Sequence, residues 1–168
     1  MSPVTRPRVG GELLDRQAYE TPEELLAAVE RRFGLLTCDL ACSVANAKAP
    51  DAFAHEHGNS LEGAWPIEGV LWLNPPFADI EPWARKAAAW RGEYGARLLM
   101  LTPASIGSAW FRDHVHGHAL VLALAPRIRF VGTRGTDMRD YILSVYGDAA
   151  GFDCWKWTTT KKGTKSDV

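Results

Sequence analysis

Asn74-Pro75-Pro76-Phe77 follows directly on the apolar run Gly69-Val70-Leu71-Trp72-Leu73. The run reads as a buried strand, and the prolines end it. Pro76 has no N–H and restricts Pro75, as Pro75 restricts Asn74, so the chain must leave the sheet in a rigid, extended turn. Such a turn lies at the carboxyl end of a strand, where open α/β sheets bind their ligands. It presents one carboxamide (Asn74), the carbonyls of Asn74 and Pro75, and the aromatic face of Phe77. An amino group on a flat ring would match these parts. Its two hydrogens need two acceptors, which a carboxamide oxygen and the carbonyl after it can supply. Drawing both hydrogens toward acceptors leaves electron density on nitrogen for attack on an electrophile. Phe77 could stack on the ring, a contact worth about 1–3 kcal/mol for an exposed base. The same residues also fit a plain strand end with a core phenylalanine, and the tetrapeptide alone does not decide.

A turn of this kind needs a sheet to hold it. Thr21-Pro22-Glu23-Glu24 reads as a helix start, with Thr21 as the cap, Pro22 in the first helical position and Glu24 three residues after the cap. Leu25, Leu26, Val29 and Phe33 follow at helical spacing, and Gly34 ends the helix. Leu35–Ala41 predicts a short strand interrupted by Asp39. A carboxylate near the end of a buried strand is costly without a partner, so Asp39 is either a ligand contact or the cap of the next turn. The small residues over 40–50 would let a ligand approach the backbone, and 51–66 reads as loop. Helices are predicted over 79–92 and 104–115. Strands are predicted over 97–102, 119–125 and 141–146, with an edge strand over 127–131 and a polar loop over 132–139. Strands alternating with helices imply an α/β fold: a mostly parallel sheet, helices on both faces and right-handed crossovers. Asp39-Leu40-Ala41 and Asn74–Phe77 then fall on one rim. A cofactor at the first and a substrate amine at the second make a coherent geometry.

Composition sets the outer bounds. A chain of 168 residues, 46% hydrophobic and 23% charged, suits one soluble domain with its own core. The net charge of -1 gives no overall positive field, so any nucleic-acid surface must be a local patch. With no long apolar run and no signal-like N-terminus, the expectation is an intracellular, cytoplasmic protein with no membrane part. Cys38, Cys42 and Cys154 are odd in number, which favours reduced thiols over a disulfide framework. Residues 1–18, with Pro3, Pro7, Gly10 and Gly11, read as a flexible arm; 19–157 read as the folded domain, and 158–168 as a disordered basic tail.

Other constellations carry less. His114-Val115-His116-Gly117-His118 has no carboxylate or cysteine group at ligand spacing, so no metal is expected. Ser105 and Ser108 lack His and Asp partners at a recognisable spacing, and neither type of phosphate-cradling glycine loop is present. Arg127, Arg129, Arg134 and Arg139 cluster along the chain. Beside a site for a base they could hold DNA phosphates; otherwise they form a solvated rim.

In this order the motifs resemble the phage-type DNA N-6-adenine methyltransferase (Dam-like) family. The matching pieces are Thr21-Pro22 before an amphipathic helix, Cys38-Asp39-Leu40-Ala41-Cys42-Ser43 with Asn46-Ala47-Lys48, Trp72-Leu73-Asn74-Pro75-Pro76-Phe77, Pro82-Trp83, and Leu101-Thr102-Pro103-Ala104 with Trp110-Phe111. The resemblance implies a Rossmann-like class I methyltransferase that uses S-adenosylmethionine to methylate the exocyclic amine of an adenine flipped out of DNA. It implies Asn74, Pro75, Pro76 and Phe77 as the target-amine motif. Asp39, Ala41 and Ser43 would line the cofactor pocket as a reduced counterpart of a glycine-rich motif, with Thr21-Pro22 covering it. Asn59-Ser60-Leu61 stands where the family carries Asp-small-Leu, which puts Asn59 against the cofactor adenine. The N4 amine of cytosine offers the same two donors, and an amide nitrogen in a protein glutamine methyltransferase would also fit. From another class, the chain could be a non-catalytic DNA-binding relic. With little room for a target-recognition domain, it should read a short or loose DNA site, alone as a monomer or as a homodimer. The family implies a phage or prophage setting, hence the host cytoplasm.

Overall fold

The apolar run that ends at Asn74 is an interior strand, buried along its whole length. In the computed structural model, which describes residues 20–54, 58–130 and 139–158, this strand is β3 (Val70–Leu73). Before it come α1 (Glu23–Phe33), β1 (Cys38–Cys42) and β2 (Asp51–Ala54). After it come α2 (Glu81–Ala89), β4 (Arg97–Pro103), α3 (Ala109–His114), β5 (Leu120–Ala125), β6 (Tyr141–Tyr146) and β7 (Gly151–Lys156). The expected arm, Arg134, and all of the expected tail except Thr158 lie outside the described residues.

The strands form one sheet in the order β2-β1-β3-β4-β6-β5-β7. β1, β2, β3 and β4 are parallel neighbours. β6 runs antiparallel to both β4 and β5, and β7 runs parallel to β5. The sheet is therefore mostly parallel, with β6 alone reversed. Tyr141, the first residue of β6, pairs with Pro103, the last of β4. The carboxyl ends of β1, β3, β4 and β5 and the start of β6 thus share one rim.

Alternation along the strands sorts side chains to two cores. Trp72, Leu99 and Leu101 pack with Leu25, Ala28, Val29 and Phe33 of α1. Leu71, Leu73, Leu98 and Met100 pack with Ala84 and Ala87 of α2 and Phe111 of α3. One face is thus covered by α1 and the other by α2 and α3. Gly34, with φ 102°, ends α1 in a conformation that side-chain-bearing residues rarely adopt. Gly69, with φ 76°, lets β3 start hard against Thr37; a Cβ there would collide with the threonine side chain. Thr37 Oγ1 in turn accepts the Val70 N–H at 3.1 Å, tying the starts of β1 and β3 together.

Several boundaries differ from expectation. Thr21 does not cap α1. Pro22 holds the cap position with an extended ψ of 137° and no side-chain cap bond, and its carbonyl accepts from Leu25 and Leu26. β1 begins at Cys38 rather than Leu35, whose side chain is exposed. The stretch expected as loop over 51–66 contains β2, and β7 was not anticipated. Residues 127–130 are not strand. Ile128 and Phe130 are buried while Arg127 and Arg129 are exposed, so the alternation there reports which side chains point inward, without ladder pairing. No helix among the described residues is long and apolar enough to cross a membrane.

Candidate active site

The ends of β1 and β3 lie side by side, because Asp39 pairs with Trp72 across the ladder. Two residues further along, on the same faces, come Ala41 and Asn74. Between them opens a shallow cleft lined by Glu20, Thr21, Asp39, Ala41, Cys42, Asn46, Lys48, Trp72 and Asn74. The structure so brings Asn74 together with three of the expected cofactor residues, Thr21, Asp39 and Ala41.

Asp39 is only 2% exposed. Its Oδ1 accepts the Ala41 N–H at 3.2 Å and its Oδ2 accepts the Lys48 N–H at 3.0 Å. Burial raises its pKa, partly offset by those two N–H groups and by the Lys48 charge. The carboxylate therefore ties the end of β1 to the connection that leads to β2, while still forming part of the cleft wall. Inside that connection the Asn46 carboxamide accepts the Ser43 N–H at 2.6 Å. Ser43 itself is not among the lining residues. Burial, with the nearby Asp51 and Asp39 charges, pushes the Cys38 thiol up to about 12, so it stays protonated at neutral pH.

Asn74 is arranged differently. Its Nδ2 donates to Thr21 Oγ1 at 3.3 Å. Its Oδ1 is buried and has no hydrogen-bond partner among the described residues. An unpaired buried acceptor costs about 1–3 kcal/mol, and here it sits in the wall of a cleft. Pro75 behind it is buried. The Pro76 carbonyl closes the turn by accepting from Asp79 at 3.3 Å.

Phe77 is half-buried at the edge of both cores. Its ring lies 5.8 Å from that of Tyr141, tilted, and 6.3 Å from that of Phe130, edge-on. Phe130 and Tyr141 meet edge-on at 4.9 Å. The Arg139 guanidinium lies over Tyr141, 5.8 Å from the ring centre. Arg127 bonds to Asp140 at 2.7 Å, and Arg129 is exposed. These three arginines flank the end of β5 and the start of β6, on the rim that carries Asn74.

The family model for DNA N-6-adenine-methyltransferase (Dam) matches residues 12–142. The chain belongs to this family. A DNA N-6-adenine-methyltransferase of Escherichia phage T1 is 33% identical over 98 residues, which is 58% of this chain and 40% of the relative. The chain thus spans about two-fifths of that relative's length.

Asn59 is not brought to the cleft of this Dam-family chain. It is exposed, its Oδ1 accepts the Leu61 N–H at 3.0 Å, and its Nδ2 donates to Glu62 at 3.1 Å. That turn is held by another residue. Lys86 on α2 donates to the carbonyls of Ser60, Leu61 and Gly63, and its ammonium lies 4.6 Å from the centre of the Trp65 ring. Trp65 stacks on Trp83 and donates its own N–H to Ser60. Sequence reasoning passed over Trp72, Asn46 and Lys48 as cleft residues. Trp72 could have been found from the period of two that puts it on the Asn74 face. Asn46 and Lys48 stood in the small-residue stretch after Asp39, but only the fold turns them inward.

Proposed function

We propose that this chain is an S-adenosylmethionine-dependent DNA methyltransferase of Rossmann-like class I architecture that methylates the N6 amine of a flipped-out adenine. The observation that carries this reading is the buried, unpaired Asn74 Oδ1 at the end of β3. It is an acceptor to which no described residue donates. Family membership supports the amine of adenine as that donor.

The cleft fits the cofactor in kind. Its lining is mostly polar, small where Ala41 closes it, and carries two carboxylates and one lysine. It is shallow and open to solvent, with an enclosed volume of only about 20 Å³, so most of the cofactor would lie across its mouth. Thr21, Asp39 and Ala41 are the residues we assign to hold the cofactor. When bound, S-adenosylmethionine supplies an electrophilic methyl group.

The chain's own part is orientation and charge. Asn74 Oδ1 accepts one amine hydrogen, and the Pro75 carbonyl is positioned next in the chain for the other. As nitrogen gains positive charge its N–H groups become stronger donors, so these acceptors bind the transition state more tightly than the substrate. Neither acceptor need take the proton. Phe77, backed by Phe130 and Tyr141, offers an aromatic surface to the base, and Arg127, Arg129 and Arg139 lie along the same rim for the phosphates. Flipping a base out of the stack costs a few kcal/mol, which these contacts would offset.

The test is nucleoside mass spectrometry on DNA incubated with the protein and S-adenosylmethionine, beside Asn74→Ala. N6-methyladenine from the wild type alone is the expected result. N4-methylcytosine would reassign the base. DNA binding with no methylated base from any substrate would leave a non-catalytic binding domain.

A further inference from the structure

We propose that Glu20 and Lys48 clamp the α-amino acid end of the cofactor, Glu20 taking its ammonium and Lys48 its carboxylate, an inference that rests on the cofactor reading of the cleft given above. The two side chains come from separate segments. Glu20 precedes α1, and Lys48 lies in the connection from β1 to β2. Each is anchored beside the site. The Lys48 N–H is held by Asp39 Oδ2 at 3.0 Å, and Thr21, next to Glu20, is buried and bonded to Asn74.

The two charges hold each other loosely. Lys48 Nζ lies 3.6 Å from Glu20 Oε2, beyond the usual hydrogen-bond range, and the Glu20 side chain is half exposed. A pair of this kind gains little from its own attraction in water, so its partners are open to exchange. The third charge in the cleft is not. Asp39 is 2% exposed, and both of its oxygens already accept backbone N–H groups. Glu20 is thus the carboxylate with acceptor capacity for a ligand, and Lys48 is the one cationic side chain among the described lining residues. The pairing also selects. A lone anion drawn to Lys48 strands Glu20, and a lone cation drawn to Glu20 strands Lys48. A ligand with both charges on one carbon exchanges a single loose pair for two. An α-amino acid is such a ligand, and S-adenosylmethionine ends in one.

The test is binding, without turnover. Three ligands are titrated against the wild type, Glu20→Gln and Lys48→Met, with circular dichroism to check that the variants fold. S-adenosylhomocysteine keeps both charges, S-adenosyl-3-thiopropylamine keeps the ammonium and lacks the carboxylate, and 5′-methylthioadenosine lacks both. Glu20→Gln should weaken the first two about tenfold, the scale of one hydrogen bond to a charged group at a partly exposed site. Lys48→Met should weaken S-adenosylhomocysteine alone, by a similar factor. Neither should change the affinity for 5′-methylthioadenosine. Equal losses for all three ligands would mean that the pair only shapes the cleft, and would overturn the inference. So would a Lys48→Met loss that persists with S-adenosyl-3-thiopropylamine, or variants that bind S-adenosylhomocysteine as well as the wild type does. Those outcomes leave the cofactor reading standing. A wild type that binds none of the three ligands would overturn that reading, and the clamp with it.

Discussion

Asp39 and Asn74 occupy equivalent places at the ends of neighbouring strands, yet they are used in opposite ways. Both carboxylate oxygens of Asp39 receive backbone N–H groups, one from Ala41 in its own strand and one from Lys48 in the connection that follows. Asn74 bonds through its nitrogen to Thr21 and leaves its oxygen buried, with no partner among the described residues. A buried polar group with all its partners holds structure together. One that lacks a partner destabilises the fold slightly; among the described residues Thr102 Oγ1 and Ser144 Oγ do so inside the core, and Asn74 Oδ1 differs in belonging to a cleft residue. The comparison separates a residue that shapes the cleft from one that leaves an acceptor free beside it.

Breaking each side of the comparison should give opposite results. Asn74→Ala should lower turnover about 10²–10³-fold, the scale set by losing one preorganised transition-state contact, while thermal unfolding stays within a degree or two of the wild type. Methylation rate and melting curve measured on the same sample check both halves. Asp39→Ala should act through stability instead. Two partly buried N–H groups lose their acceptor, and at about 1–3 kcal/mol for each fully buried group the loss should be about 2 kcal/mol by urea unfolding.

The Asp39 effect should also depend on pH. Its carboxyl titrates above the ordinary 3.8 because burial disfavours the charged form. The native state therefore favours the protonated acid. That contribution is complete below the unfolded pKa and is lost as pH rises through the raised native value. Wild-type stability, measured against Asp39→Asn, should fall as pH is raised from about 4 toward neutrality. A difference that stays flat, or grows with pH, would contradict the assignment.

Smaller effects test whether other ties belong with Asp39. Lys86→Met keeps the side-chain stem but strips the donor from three carbonyls, which should cost about 1–2 kcal/mol by the same unfolding measurement. Lys48→Met removes a 3.6 Å pair with Glu20, whose side chain is half exposed. It should cost less than about 1 kcal/mol, and high salt should erase the difference.

How much of this could be read from the residues varies with the physics behind each signal. β3 and its abrupt end were legible because prolines forbid continuation whatever surrounds them. β6 matched its predicted limits because every residue in it is buried. β7 was missed because an edge strand with Phe152, Asp153 and Cys154 exposed lacks the burial that alternation reports. The segment from Arg127 shows the converse: its alternation was real, but hydrogen-bond pairing leaves no separate trace in residue type. In the site, the choice of Asn74 came from local chemistry. The Thr21 contact could not, since a threonine before Pro-Glu-Glu carries the same helix-start pattern whether its hydroxyl turns to its own helix or to a strand 53 residues away.

The connection from β1 to β2 has one more consequence. Parallel strands are commonly joined through a helix, whose amino end would aim a positive dipole at the cleft and favour phosphate. Here residues 43–50 cross over with a turn and no helix, fastened by Asp39. The cleft thus has no dipole there to attract anions, and its fixed charges are Glu20, Asp39 and Lys48. An anion reaching this wall meets two carboxylates and one lysine, with no helix dipole to draw it in.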